Sequence, residues 1–315
     1  MIIDTHTHFI PRFVLEDTPF GLAYDGSTLS HPEHMRYVIE PRFLGVEARL
    51  DEMTRQGIDM SVVSLSPTLF FYDQPSDVAA EYARRANDAL AEMVSASDRL
   101  VGVATLPLQD PVAAARELDR AVTELGLHGA QIGTNTETLE IDAPALEAVF
   151  ATAERLDVPM MLHPYFLGAK ERLEDFYMTN TLGNPIDTTI AAARLIQSGI
   201  LDRLPNLRIA LVHGGGFLPY QLGRLDRAHE MRAEPRVQIA NVPSSYLDRF
   251  WFDSITHDDA ALKFLAERTG SCRLVLGTDS PFDMEDPEPV RRLARVGIDV
   301  SDLTAATQEL FGGTL

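Results

Sequence analysis

Eight times along this 315-residue chain, a short apolar run is followed by a stretch whose apolar positions recur at helical spacing. The runs lie near 2–8, 61–66, 100–106, 129–133, 158–163, 208–213, 249–254 and 273–278. The helical patterns lie near 44–56, 76–96, 110–125, 143–156, 184–202, 217–231, 258–268 and 287–296. Strict alternation of strand and helix implies a parallel sheet, and eight units imply that the sheet closes. The expectation is an α/β fold, a (β/α)8 TIM barrel forming a single domain over 1–315. Residues 9–45 fit neither period and carry Pro11, Pro19, Gly21, Gly26, Pro32 and Pro41. They read as an inserted loop or small lid after the first strand, on the face where barrels place their active sites. Asp110-Pro111 reads as a helix N-cap with proline at the first helical position, and Gly126 closes the same helix.

The ends of four strands carry the chemistry. The first apolar run leads into Asp4-Thr5-His6-Thr7-His8. Residues i and i+2 of a strand face the same side, so both imidazoles converge on one point. Met160-Met161-Leu162-His163, Ile209-Ala210-Leu211-Val212-His213 and Leu274-Val275-Leu276-Gly277-Thr278-Asp279 end three further runs. One histidine after an apolar strand is usually a hydrogen-bonded structural residue. Four strand ends that finish in His-x-His, His, His and Asp instead read as a metal site.

Composition narrows the chemistry. Cys272 is the single cysteine, which excludes an internal disulfide and a thiolate-rich zinc cluster, so a metal here takes His and carboxylate ligands. A net charge of −20 opposes nucleic acid and anionic membrane as partners, and an anionic substrate would need arginines within the site. There is no run of 18 apolar residues and no signal-peptide pattern at the start, so a cytoplasmic protein is expected. Lys170 is the only lysine near the fifth strand, and no lysine lies in the loop after the fourth. Gly214-Gly215-Gly216 has two readings: close approach of backbone to substrate, or a tight strand-to-helix turn.

Asp4-Thr5-His6-Thr7-His8-Phe9, Arg49-Leu50-Asp51-Glu52-Met53, Leu106-Pro107-Leu108-Gln109-Asp110, His213-Gly214-Gly215-Gly216, Tyr246-Leu247-Asp248-Arg249-Phe250 and Gly277-Thr278-Asp279-Ser280-Pro281-Phe282 follow in this order. This series resembles the amidohydrolase superfamily, and within it the aminocarboxymuconate-semialdehyde decarboxylase-like branch, the amidohydrolase 2 family. The resemblance implies His6, His8, His163 and Asp279 as ligands of one divalent ion, zinc first and manganese second, with no organic cofactor. It implies His213 as the general acid or base, with direct ligation as its other role, and Asp279 as a second proton carrier. Arg36, in Met35-Arg36-Tyr37-Val38, resembles the arginine by which the branch binds a substrate carboxylate. Arg249 matches another family arginine, and its other reading is a structural partner for Asp248 or a backbone carbonyl. Asn241 stands where the aminocarboxymuconate enzymes carry an arginine, a departure that puts their own substrate in doubt. Phe166, Phe176 and Tyr177 could form an aromatic wall, and Phe166 is taken as a substrate contact. His257 could line the mouth or help cap a helix at Asp258. His31, His34, His128 and His229 read as structural or surface residues, and Trp251 and Phe252 as barrel packing.

The function that the resemblance implies is metal-dependent non-oxidative decarboxylation of an unsaturated or aromatic carboxylic acid. The alternative is a hydrolase or hydratase acting on a lactone, an amide or an unsaturated ring-cleavage product, because activated water serves either reaction. A non-catalytic metal scaffold is the third reading. Relatives are often homodimers, so the expected partners are a small anionic substrate and a second copy of the chain.

Overall fold

The apolar runs become strands buried along almost their whole length. The computed structural model describes residues 1–31, 35–165 and 172–315. In chain order the strands are β1 (Ile3–Phe9), β2 (Ala23–Tyr24), β3 (Thr28–His31), β4 (Met35–Val38), β5 (Met60–Leu65), β6 (Leu100–Gly102), β7 (Ala104–Thr105), β8 (Ala130–Gly133), β9 (Met160–His163), β10 (Ile209–Leu211), β11 (Phe250–Asp253) and β12 (Leu274–Val275). β1, β5 and β6 form one parallel sheet, and β7 through β12 form another. β6 and β7 flank Val103, whose N–H donates to Val63 at 3.0 Å, while Ala104 donates to Gly129 at 2.8 Å. The two short strands therefore act as one and carry the pairing from β5 to β8. Parallel bridges from Asp4 to Leu276 and from Thr7 to Ser280 join β1 to the β12 segment and close the ring of eight.

Inside the ring, Ile3, Val62, Val103, Met161, Ala210, Val212, Trp251 and Val275 fill the lower barrel. The helix Val300–Leu310 plugs that end with Ala306 and Leu310, together with Phe311 just beyond it. This helix was not among those expected. Trp251 and Phe252 are buried as barrel packing, and the Arg273 guanidinium lies 4.2 Å over the Trp251 ring. With apolar side chains closing the lower end, the polar groups of the strands are left at the other.

The insertion has more structure than a loop. A helix at Arg12–Asp17, the antiparallel sheet β2-β3-β4 and a helical turn at Pro41–Leu44 lie between β1 and the first outer helix, Val46–Gln56. An aromatic cluster docks it: Phe20 lies 4.9 Å from Phe71 and 5.5 Å from Tyr82, ring centre to ring centre. Arg49 is buried and donates to the carbonyls of His8 and Arg42, fastening the insertion to the end of β1. The helix expected over 184–202 breaks at Gly199, whose φ of +72° suits glycine. No helix among the described residues is long and apolar enough to cross a membrane.

Candidate metal centre

β1 delivers the first two histidines. The β1–β5 register shifts between Asp4 and Thr7, an irregularity of the kind that re-aims side chains near sites. The outcome is convergence: His6 Nε2 and His8 Nε2 stand 3.0 Å apart, and His8 Nε2 lies 3.0 Å from Asp279 Oδ1. His6 Nε2 lies 3.5 Å from the same oxygen, and His213 Nε2 lies 3.5 Å from Asp279 Oδ2. Donor atoms of His6, His163, His213 and Asp279 fall within 4.8 Å of one another, a possible metal site. His8 touches two members of that set, so all five residues named from the strand ends meet in one place.

The hydrogen bonds fix which nitrogens face inward. His6 Nδ1 lies 2.8 Å from Asp253 Oδ2, and His163 Nδ1 lies 2.8 Å from the carbonyl of Pro164. A carboxylate and a carbonyl can only accept, so these Nδ1 atoms carry the protons. His8 Nδ1 lies 3.1 Å from Ser64 Oγ, which also faces the Thr7 carbonyl at 2.9 Å and Gln131 Oε1 at 2.8 Å. Ser64 therefore gives its proton to one of these oxygens and accepts from His8. Three Nε2 lone pairs remain beside a carboxylate, a donor set that fits a divalent cation.

Electrostatics favour an open Nε2 on His8 and His163 and, with no cation bound, a proton on His6. Burial pushes His8 down to about 4, and burial with its imidazole neighbours holds His163 well below the usual range. Burial also opposes charge on His6, but the Asp253 hydrogen bond and the surrounding carboxylates outweigh it and raise that group. Asp279 is desolvated, yet its contacts with His213 and His8 hold it well below the ordinary carboxylate range. Asp4, behind the cluster, is pushed up to about 7 by burial, against the opposing pull of the Thr278 hydrogen bond.

His213 differs from the other three. Its Nδ1 is buried without a hydrogen-bond partner among the described residues, and its backbone is left-handed at φ +53°. Gly214, Gly215 and Gly216 continue at φ +61°, +73° and +61°. A Cβ on Gly215 would lie 2.6 Å from the Phe252 ring, and one on Gly216 would lie 2.2 Å from the Pro185 carbonyl. Packing within the protein thus requires the glycines of this turn, while Gly214 and Gly216 also line the cavity.

That cavity has a volume of about 860 Å³. Arg36, Tyr37 and Phe282 line it together with His163, His213 and Asp279. The Arg36 side chain is exposed there and makes no hydrogen bond or salt bridge with the described residues, although its charge acts on Asp25, and its backbone pairs with Ser30 in the β3–β4 sheet. Tyr177 also lines the cavity and donates to Asp283 at 3.4 Å, whereas Phe176 points to solvent at 88 % exposure. His31 and His257 line the wall, and Asp258 is the residue that caps the helix Asp259–Thr269. Phe166, Lys170 and His34 lie outside the described residues.

Arg249 does not line this cavity, and its contacts favour its other reading, as a partner of backbone carbonyls. Its guanidinium donates to the carbonyls of Leu201, Leu204 and Pro205 at 2.9, 3.2 and 2.7 Å, so backbone acceptors consume it. Asn241 is likewise exposed and outside the cavity. Asp253 was missed as a site residue. The signal was present, because Phe250-Trp251-Phe252-Asp253 is an apolar run ending in a carboxylate, like the run before Asp279.

A parallel (β/α)8 barrel with imidazoles and a carboxylate gathered at the C-terminal ends of its strands defines a metal-dependent barrel enzyme. The chain belongs to the amidohydrolase family, whose model matches residues 3–314. It is 31 % identical over 327 residues to 2-amino-3-carboxymuconate-6-semialdehyde decarboxylase of Dictyostelium discoideum, covering 99 % of this chain and 89 % of that protein. Its structure resembles 5-carboxyvanillate decarboxylase from Sphingomonas paucimobilis, with a TM-score of 0.85, 27 % identity and coverage of 99 % and 98 % of the two chains. It also resembles dihydroxybenzoic acid decarboxylase from Polaromonas sp. JS666, solved with bound manganese and the inhibitor 2-nitroresorcinol. There the TM-score is 0.82, the identity 30 % and the coverage 99 % and 96 %.

Proposed function

We propose that this chain is a metal-dependent non-oxidative decarboxylase of an unsaturated or aromatic carboxylic acid. The observation that carries the reading is the contrast among the histidines: three have their Nδ1 engaged and Nε2 turned inward, while His213 has a free Nδ1. His6, His8, His163 and Asp279 would hold one divalent ion, zinc or the manganese seen in the Polaromonas relative. Once bound, that ion supplies the positive charge that fixes anionic substrate oxygens and acidifies water.

The protein's own groups do the rest. Arg36 offers an unpaired guanidinium to a substrate carboxylate, and Tyr37 and Phe282 offer ring faces to a flat conjugated body. His213, protonated, delivers its proton to the carbon bearing the carboxylate, with Asp279 beside it as the second proton carrier. The C–C bond to the carboxylate then breaks, its electron pair returns to the conjugated system, and CO2 leaves. His213 is left neutral and regains its proton from solvent. The substrate takes the electrons itself, so no organic cofactor is needed. The homodimeric state and cytoplasmic location expected from the sequence belong to this reading, and sedimentation of the purified chain tests the former.

The experiment is turnover of 2,6-dihydroxybenzoate, 5-carboxyvanillate and 2-amino-3-carboxymuconate semialdehyde by metal-loaded protein in 18O-labelled water. Release of CO2 with no labelled oxygen in the product supports the reading, and its loss in His213→Ala supports the role of His213. Labelled oxygen gained without CO2 release would move the assignment to a hydrolase or hydratase.

A further inference from the structure

We propose that Asp253 is a positioning residue that ties the ligand arm of the metal centre to the turn carrying His213, so that one carboxylate sets both. The inference rests on the metal-site reading above.

The carboxylate is fully committed. Its Oδ2 accepts from His6 Nδ1 at 2.8 Å, and its Oδ1 accepts from the backbone N–H of Gly214 at 2.8 Å and of Ile255 at 3.1 Å. Asp253 is buried at the end of β11, so both oxygens act without competition from water. His6, His8 and His163 each have their rings held through Nδ1. His213 has no such support, so its place in the cluster follows from its backbone. That backbone opens four successive residues of positive φ, and the amide of the second, Gly214, is the one that Asp253 holds. The two functions therefore meet at a single side chain: Oδ2 aims a metal ligand, and Oδ1 clamps the turn of the acid–base histidine.

Gly277 makes the arrangement sterically possible. A Cβ there would lie 3.0 Å from Asp253 Cβ and 3.1 Å from His6 Cβ, inside normal contact for both. Glycine at this point lets the carboxylate and the imidazole approach each other.

Asp253→Ala removes both acceptors, so His6 Nδ1–H and Gly214 N–H lose their partner together. Two readouts that need no substrate test this: the Zn2+ dissociation constant, by competition with a chromogenic chelator, and amide hydrogen exchange of the metal-free protein. The proposal expects zinc to bind roughly 10- to 100-fold more weakly. It also expects exchange of the segment 212–217 to rise about tenfold, with the rest of the barrel unchanged. Zinc affinity within about threefold of wild type, in a folded variant, would overturn the proposal. Weakened zinc binding with unchanged exchange over 212–217 would overturn the coupling, leaving Asp253 to orient His6 alone. If Asp253→Ala does not fold, Asp253→Asn decides: it turns an NH2 group toward either His6 Nδ1–H or Gly214 N–H, so wild-type values of both readouts would overturn the proposal. Failure to decarboxylate any tested acid leaves both readouts standing. Wild-type protein that takes up no zinc would remove the metal reading and this proposal together.

Discussion

The Nε2 atoms of His6 and His8 stand 3.0 Å apart while the Nδ1 of each is turned to an oxygen, Asp253 Oδ2 for one and Ser64 Oγ for the other. Two lone pairs at that distance repel unless a proton or a metal ion lies between them, so the proposed site gains from a bound cation.

Removing the metal should therefore cost stability. A ligand at a hundredfold its dissociation constant adds about 2.7 kcal/mol to the folded state. For a chain of this size that is several degrees in Tm. Thermal melts before and after chelation, with zinc or manganese restored, should show a reversible drop. Identical melts would contradict a ligand set built for a cation.

His163 gives the metal-free protein a defined pH response. Burial holds it neutral well below the usual range, whereas an unfolded histidine gains a proton near pH 6.5. Below that pH the unfolded state binds one more proton than the folded state at this position, so stability falls as pH falls. His163→Gln removes the effect. On lowering the pH from 7.5 to 5, chelated wild type should lose stability relative to the variant in urea unfolding. A stability gap that does not change with pH would contradict this.

Much of this site could be read from the sequence, and the reasons differ by residue. The strand-end histidines and Asp279 were visible because each closes an apolar run, and a parallel barrel gathers such ends. Asp253 closes a run in the same way, but nothing local says that its partner is His6, 247 residues away. Arg249 could not be placed for a related reason: its carbonyl acceptors lie 44 to 48 residues earlier in the chain. The helix Val300–Leu310 was overlooked although Asp299 caps it and Leu303, Ala306, Thr307 and Leu310 share its buried face. Small residues at two of those four positions blur the apolar period. The insertion's sheet was hidden because its strands are only two to four residues long.

Gly216 should not tolerate a side chain. Alanine would set a methyl 2.2 Å from the Pro185 carbonyl and 2.9 Å from Thr189 Oγ1, at a φ of +61°. Gly216→Ala should lose roughly 2–4 kcal/mol from strain and overpacking together. Urea midpoints read the effect, and a midpoint equal to wild type would show that the turn can relax.

Arg36 should act on binding. A charge-assisted hydrogen bond to a carboxylate contributes about 1.5–3 kcal/mol, or roughly 10- to 100-fold. On a confirmed substrate, Arg36→Ala should raise KM by that factor with kcat nearly unchanged. An unchanged KM would remove Arg36 from the site.

In the proposed site, the strand ends of this barrel hold one divalent ion. Elemental mass spectrometry of purified wild-type protein beside His163→Ala tests it directly. Wild type should carry about one equivalent of zinc or manganese per chain, lost in the variant. No metal after metal-replete expression, or the same content in both proteins, would contradict it.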